Sequence, residues 1–420
     1  MNRSVILPVK VPGTMSISKV SFSDFCFWFS VFDILFLPYF KWFSISFSVP
    51  FIAAWLIANI ERVFKRGEGT IVKLMGIAML ASVIISVVYP FDLRIYTSLS
   101  TTVKRSIQYF IILGYYLFYV NYFKNRKVRI DKALGYFIFF TAVLALIYQI
   151  IPDLYANVKY FLYPADNHTM RYLNNEVEYR FNGLLVDPNN VAYVIDGVMA
   201  WLLLKEDIAT SKKLLVMVAS LFIVLSTAST GGLVAYTIVF ALMALRMLEP
   251  NILKVKPSAV ISIMVFVICA VAVLSQESVQ VIIKEKLFTL LQSRVEHYTT
   301  RRDVSGGRLS DFVKSLQYMN PLMLVVGIGK EGISFEIGHL YYIGLYGLPA
   351  YLGFMWISFR LDRKQRKRDL IWMLPFFIGF TINIAIGEFK WLAIYYLMLA
   401  YSRSGLCSEQ EIVNIQNRGV

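Results

Sequence analysis

The sequence predicts an all-α fold, a polytopic membrane bundle of about twelve transmembrane helices. Of its 420 residues, 57% are hydrophobic and 16% are charged, whereas an ordinary soluble domain has roughly 25% charged residues. The apolar residues occur in repeated blocks of about 15 to 21, the length that a helix needs to cross a hydrocarbon core of about 30 Å. No repeat or interdomain linker interrupts them, so we expect a single integral membrane domain over residues 1–420.

Each apolar block between charged segments predicts one span. The first 19 residues lack the apolar core of a signal peptide, so we expect the first span to target the chain. The predicted spans are 20–40, 43–60, 71–90, 107–123, 133–151, 189–204, 214–228, 231–245, 258–275, 339–359, 370–386 and 391–402. An even number of spans puts both termini on the same side of the membrane.

The distribution of positive charge predicts the orientation. With the N-terminus inside, the inner segments hold more than half of the 42 Lys and Arg residues, including the dense clusters 124-KNRKVRIDK-132 and 360-RLDRKQRKRD-369. Lys and Arg in short loops stay on the cytoplasmic side. The net charge of +15 is therefore mainly a topology signal, and these short clusters without interleaved aromatic residues predict no nucleic-acid binding.

Two outer segments, about 152–188 and 276–338, are longer than the others. The second has apolar residues at helical spacing over 279–291, with basic residues on other faces, which predicts a short amphipathic helix at the membrane surface. These outer segments carry positive charge that the topology rule does not require, on Arg171, Arg180, Arg294, Arg301, Arg302 and Arg308. Each arginine taken singly is explained by a contact with lipid headgroups, whereas the set indicates an anionic ligand.

Arginine suits a diphosphate because its planar group makes paired, charge-assisted hydrogen bonds. Arg180 opens 180-RFNGLLVDPNN-190, in which Asp187 or Asn189 either caps the sixth span or contacts substrate. His339 begins the tenth span, as an interface anchor or as a general base. The sequence has no phosphate-binding loop, zinc motif or paired cysteines, and we expect no metal and no cofactor.

Three carboxylates lie within or beside predicted spans. Asp33 and Asp196 fall inside spans, and Glu388 follows the eleventh span in 387-GEFKW-391. A carboxylate inside a membrane is costly and is therefore a functional candidate. Glu388 is a further candidate base, and the sequence reveals no partner for any of the three.

The order of these features resembles the O-antigen polymerase (Wzy) family and the related O-antigen ligase group. The matching residues are Arg180, Gly183, Asp187, Pro188, Asn189 and Asn190, then 306-GGRLSDFVKSLQYMNPLMLVVGIG-329, then His339 with Gly344 and Gly347. The resemblance covers about 180–360. Leu340 stands where the ligase group has a polar residue after the histidine, which favours a polymerase.

The resemblance implies a glycosyltransferase of lipopolysaccharide biosynthesis in the bacterial inner membrane, with its active site facing the periplasm. Its substrates would be oligosaccharides linked to undecaprenyl diphosphate, and a polysaccharide chain-length regulator is an expected partner. Arg180, Arg308 and His339 would be catalytic, whereas Arg301, Arg302, Asp187 and Asn189 would bind substrate. The alternatives are an O-antigen ligase acting on lipid A-core and, from another class, a polysaccharide flippase or other secondary transporter.

Overall fold

The described part of the chain is helical. The computed structural model describes residues 21–39, 46–65, 67–88, 99–162, 180–205, 207–247, 321–327, 338–360, 369–382 and 388–404. Within them lie fourteen helices: α1 Phe22–Phe36, α2 Val49–Ala58, α3 Ile60–Phe64, α4 Glu68–Val88, α5 Leu99–Asn125, α6 Asp131–Ile150, α7 Pro152–Leu162, α8 Pro188–Leu203, α9 Thr210–Ser226, α10 Thr230–Met247, α11 Pro321–Val326, α12 Gly338–Phe359, α13 Asp369–Ile382 and α14 Phe389–Arg403. The prediction of an all-α fold is confirmed for these residues.

Eleven of the twelve predicted spans overlap a helix, and the ninth, 258–275, lies outside the described residues. Among the described helices, α4, α6 and α12 are long and apolar enough to cross a membrane, and α2, α10 and α13 contain shorter apolar stretches. The protein is therefore a helical, membrane-associated protein. The count of twelve spans stays a prediction.

Helix α4 shows why these helices suit a bilayer. Its inward side chains Val72, Met75 and Met79 are buried, as expected for a packed core. Its opposite face is equally apolar, and Leu74, Ile77, Leu80 and Ile84 are each more than half exposed. Water would disfavour such an exposed apolar stripe, whereas lipid tails would not.

Helix α14 is the centre of the bundle, and all fifteen of its residues are buried. It packs against α1, α5 and α8. On one side, α4 contacts α5 and α12; on the other, α8 contacts α6, α9, α10 and α13, and α12 closes against α13. Tyr395 of α14 packs against Phe359 of α12 and Phe376 of α13, so aromatic side chains fill the space between these helices.

Helix α12 is broken in its interior. Gly347 has φ 80° and ψ 168°, a conformation that is essentially restricted to glycine, and Pro349 follows it. Proline has no N–H, so the Leu345 carbonyl has no partner four residues later. The Ser82 hydroxyl of α4 donates to that carbonyl at 2.6 Å, so a neighbouring helix supplies the lost hydrogen bond.

The short helix α11 ends against this break. A Cβ atom on Gly347 would lie 2.3 Å from the Val325 carbonyl oxygen, and a Cβ atom on Gly327 would lie 2.5 Å from the Gly347 nitrogen. The two backbones therefore touch without side chains between them. Both glycines also have positive φ, which a residue with a Cβ atom rarely adopts. Their backbone conformation and their close contact therefore both require glycine.

Polar contacts show which connecting segments lie together at each of the two ends of the bundle. At the Arg403 end, Arg403 and Arg360 both contact Glu68, at 3.5 and 3.0 Å. Arg129 pairs with Asp131 and Asp207 at this end. At the Glu388 end, the chain after α1, the segment before α8 and the start of α14 meet. This grouping agrees with the predicted alternation of inner and outer segments.

We expect Gly347→Ala to destabilise the protein by about 1–3 kcal/mol or more, because alanine strains this backbone conformation and collides with Val325. Thermal unfolding of the detergent-solubilised protein, followed by tryptophan fluorescence, measures the effect. Gly135→Ala is the matched control, since a Cβ atom on this α6 glycine meets nothing within 4 Å. Its Tm should stay equal or rise, because alanine favours helix by about 1 kcal/mol over glycine. An equal change in Tm for the two variants would contradict this explanation of the break in α12.

Candidate functional site

The segment 180–187 forms a tight turn before α8. Gly183 has φ 50°, in the left-handed region, and it reverses the chain. The Leu185 N–H donates to the Asn182 carbonyl at 3.0 Å, and the Asn182 side-chain amide donates to the Val186 carbonyl at 3.0 Å. The turn is therefore closed by its own hydrogen bonds, which gives the polar residues on either side of it fixed positions.

Asp187 caps α8. Its backbone is extended, and its Oδ1 accepts a hydrogen bond from the Asn189 N–H at 2.7 Å. Pro188 occupies the first helical position, where its missing N–H costs nothing. The capping interpretation is thus confirmed for Asp187, and a carboxylate at this position also interacts favourably with the helix dipole.

Arg180 joins the end of α9 to the start of α8. Its Nε donates to the Thr227 carbonyl at 3.1 Å, just after α9, and its Nη2 donates to Asn189 Oδ1 at 2.9 Å, in the first turn of α8. Arg180 and Asn189 are both partly exposed at this end of the bundle. The structure therefore brings together Arg180, Asp187 and Asn189, three of the predicted site residues, and fixes the direction of the guanidinium group.

Glu388 lies directly beneath this segment. Its Oε2 accepts a hydrogen bond from the Val186 N–H at 3.0 Å, and its Oε1 accepts one from the Tyr39 hydroxyl. Glu388 as a residue is only 5% exposed. Burial raises the pKa of Glu388, and the charge of Asp187 adds to this effect, whereas the two hydrogen bonds and the charge of Lys159 oppose it.

Two buried lysines complete this cluster. Lys390 Nζ donates to the Asp33 carbonyl at 3.2 Å and to the Leu37 carbonyl, so its charge meets the C-terminal end of α1. Lys159 Nζ donates to the Leu185 carbonyl at 3.1 Å. Both side chains bind backbone oxygens, which lets a cation occupy a buried position at a helix end or turn.

Asp33 forms the deepest part of the cluster. Its Oδ2 accepts hydrogen bonds from both the N–H and the hydroxyl of Ser48, each at 2.6 Å. The Ser48 hydroxyl also contacts the Tyr115 hydroxyl at 2.6 Å. This carboxylate thereby ties α1 to the start of α2 and to α5.

His339 lies at the contact between α12 and α13. Its Nδ1 contacts the Tyr351 hydroxyl and its Nε2 contacts the Thr381 hydroxyl, each at 3.0 Å. Thr381 donates its own proton to the Phe377 carbonyl at 2.8 Å. This pattern favours a neutral ring protonated on Nε2, with Nδ1 accepting from Tyr351. The hydrogen bonds of His339 and those of Arg180 have no residue in common.

The remaining predicted site residues, Arg301, Arg302 and Arg308, lie outside the described residues, as do Arg171 and Arg294. The sequence drew attention to Glu388 but not to Tyr39, Lys159 or Lys390 as members of the same cluster. The sequence does offer a signal for Lys390, because it lies two residues after Glu388 and is the charged residue that precedes an apolar segment. Nothing in the sequence indicates that Tyr39 and Val186 meet that carboxylate.

No set of three or more His, Cys, Asp or Glu side chains suited to a metal ion occurs in the described ranges. The cluster of Tyr39, Lys159, Glu388, Lys390 and Asp33 with Arg180, Asp187 and Asn189 instead contains three cations and three acidic groups. Such a site can orient an anionic group at Arg180, and its buried carboxyl group can bind or release a proton.

Comparisons of the whole chain with models of protein families, with characterised protein sequences and with solved structures give no significant match.

We expect the stability of the wild type relative to Glu388→Gln to decrease as the pH rises. The pKa of Glu388 in the folded protein lies above its ordinary value of 4.5, so folding favours the protonated form. That contribution is complete below pH 4.5 and is lost as the pH rises through the folded-state pKa. Thermal unfolding in detergent between pH 4.5 and neutrality measures the difference in Tm.

The control for this experiment is Glu61→Gln, which changes an exposed carboxyl group on α3. The difference between Glu61→Gln and the wild type should vary less with pH than the difference for Glu388→Gln. A Glu388→Gln difference that is constant with pH would contradict a perturbed carboxyl group at this position.

Proposed function

We propose that this protein is a membrane-embedded glycosyltransferase of the O-antigen polymerase type. It joins oligosaccharide repeat units carried on undecaprenyl diphosphate, at the periplasmic face of a bacterial inner membrane. The Glu388 end of the bundle is then the periplasmic end, as the distribution of Lys and Arg predicts. A polysaccharide chain-length regulator is its proposed partner.

The observation that carries this proposal is the fixed position of Arg180 at the head of α8. Two of its nitrogens donate to Thr227 and Asn189, so the guanidinium group has a fixed direction at this end of the bundle. In our proposal, this end is where a lipid-linked diphosphate presents its charge. A cation that is oriented before the reaction stabilises developing negative charge without reorganisation.

The proposed reaction transfers a glycan from one lipid carrier to another glycan. A hydroxyl oxygen at the non-reducing end of the acceptor attacks the anomeric carbon of the donor. A new glycosidic C–O bond forms, the bond from that carbon to the diphosphate oxygen breaks, and lipid diphosphate leaves with the electron pair. The hydroxyl proton passes to a base, a role that we assign to His339 acting directly or through Tyr351, which contacts its Nδ1.

In this proposal Arg180 and Arg308 bind the diphosphate, and Arg301 and Arg302 assist them. Asp187 and Asn189 hold the segment that carries Arg180. An O-antigen ligase would use the same donor with lipid A-core as acceptor. In cells, loss of a polymerase leaves lipid A-core capped with single repeat units, whereas loss of a ligase leaves it uncapped.

A second candidate, from another class, is a secondary transporter for polysaccharide or another solute. The break in α12 at Gly347 and the carboxylate of Asp196 in the middle of α8 favour it. Broken helices and polar residues at mid-membrane depth are typical of transporters. Deletion separates the classes, because loss of a flippase prevents repeat units from reaching the periplasm and loss of a polymerase does not.

We expect Arg180→Ala and Arg308→Ala each to shorten the polysaccharide, with a decrease in long chains of at least about tenfold, because each removes a charge-assisted contact with the diphosphate. Gel electrophoresis of lipopolysaccharide from a complemented deletion strain measures chain length. Arg126→Ala is the control, since Arg126 is half exposed at the opposite end and pairs with Asp24. An unchanged chain-length distribution with Arg180→Ala at normal protein level would refute the assignment.

For His339 we expect glutamine to reduce polymerisation although it remains polar, because it cannot take up a proton. Tyr351→Phe should give a smaller loss if the histidine acts directly and an equal loss if the proton passes through the tyrosine hydroxyl. The same gel assay, normalised to the protein level in the membrane, measures both variants. Full activity of His339→Gln would remove the histidine from the mechanism.

A further inference from the structure

The buried carboxyl groups of this protein differ in their hydrogen bonds. Glu388 accepts hydrogen bonds from Tyr39 and Val186. Asp33 accepts two from Ser48. Asp196 is completely buried, and neither of its oxygens accepts a hydrogen bond from any residue in the described part of the chain.

Asp196 is the ninth residue of the sixteen in α8 and so lies in the middle of the helix. One turn earlier, Ala192 packs against Gly232 of α10, so Asp196 is level with the next turn of that helix. Tyr236 of α10 lies four residues after Gly232 and therefore at the level of Asp196. The Tyr236 hydroxyl, however, donates to the Met217 carbonyl of α9 at 3.2 Å, so its proton is already used.

The other helices that contact α8 offer no charged side chain at this level. Their charged residues with described side chains lie near the ends of α6, α9, α13 and α14: Asp131, Lys132, Lys212, Lys213, Asp369, Lys390 and Arg403. On α9, the Ser220 hydroxyl is also buried without a hydrogen-bond partner among the described residues. The two unpartnered groups therefore lie on adjacent helices, α8 and α9.

An ionised carboxylate in such surroundings is strongly disfavoured. Without a donor or a cation, the cost of burying the charge is so large that the group binds a proton instead. The geometry points to Asp196 as a proton-binding site in the interior of the bundle: it carries a proton in this arrangement of helices, and releases it only when α8, α9 and α10 move to admit water or a cation. This inference is independent of the proposed glycosyltransferase activity.

Reaction with dicyclohexylcarbodiimide, an apolar reagent, tests this site. The carboxyl proton moves to a carbodiimide nitrogen, the carboxylate oxygen adds to the central carbon, and the adduct rearranges to a stable N-acylurea. Only a protonated acid reacts readily. We expect the purified protein in lipid nanodiscs to be labelled on the peptide containing Asp196 at neutral pH, at several times the level found on Asp207, which pairs with Arg129, as measured by mass spectrometry.

Infrared spectroscopy decides the question even if the reagent cannot reach the site. The difference spectrum between the wild type and Asp196→Asn should contain the C=O stretching band of a protonated carboxyl group at neutral pH. The corresponding spectrum for Asp207→Asn, the control, should contain a carboxylate band, because Asp207 is partly exposed and pairs with Arg129. Absence of the protonated band for Asp196, or its replacement by a carboxylate band when sodium is added, would overturn the proposal, in the second case in favour of a cation site.

Asparagine is suited to this comparison because it retains the shape of the neutral acid. We therefore expect Asp196→Asn to fold with a Tm close to that of the wild type. Its lipopolysaccharide chain length is a separate measurement: normal chains with a protonated Asp196 would support the site and leave the glycosyltransferase proposal intact.

Discussion

The Glu388 carboxyl group is the contact on which the architecture of this end of the bundle depends. It joins Tyr39 and Val186, which are 349 and 202 residues away in sequence, to the first turn of the central helix. The Lys390 N–H also donates to the Tyr39 hydroxyl, at 3.0 Å, so this hydroxyl is held from two sides. Helix α14 is buried along its whole length and is surrounded by the other helices. The contacts at its start therefore set the positions of the chain segments that meet there.

The same contact sets the position of the candidate site. Val186 is the last residue before Asp187, the cap of α8, so its hydrogen bond to Glu388 places the helix start. Arg180 then reaches from the other side of the turn to Asn189 and Thr227. The direction of the Arg180 side chain therefore depends on the Glu388 carboxyl group, although the two are not hydrogen-bonded to each other. The turn between Arg180 and Val186, which its own hydrogen bonds keep closed, connects them.

Hydropathy predicts the helices well because a bilayer requires every backbone group of a span to be satisfied within the span. Eleven predicted spans overlap helices for this reason, and the charge pattern also anticipates which loops share an end. The break in α12 was not predicted, although Gly347 and Pro349 mark it. Whether such a pair breaks a helix depends on a neighbour that can satisfy the freed carbonyl, here Ser82, which is 263 residues from Leu345.

The site was predictable only in part, for a similar reason. Arg180, Asp187 and Asn189 are close in sequence, so their spacing around a turn and a helix start reveals their contact. The partners of Glu388, Asp33 and His339 come from other helices, and no periodicity in one segment identifies them. Asp196 differs from these three residues. Its position within a predicted span indicates a functional role, and the structure adds no hydrogen-bond partner for it among the described residues.

Charge balance determines what the described part of the site can do. It contains three cations, Arg180, Lys159 and Lys390, and three acidic groups, Asp33, Asp187 and Glu388. Both lysines donate to backbone carbonyls, which leaves Arg180 as the cation of this set that is partly exposed. A diphosphate carries more than one negative charge, and one arginine in a balanced cluster would not neutralise it. The glycosyltransferase proposal therefore requires further positive charge, which the sequence provides in the predicted outer segment 276–338 at Arg301, Arg302 and Arg308.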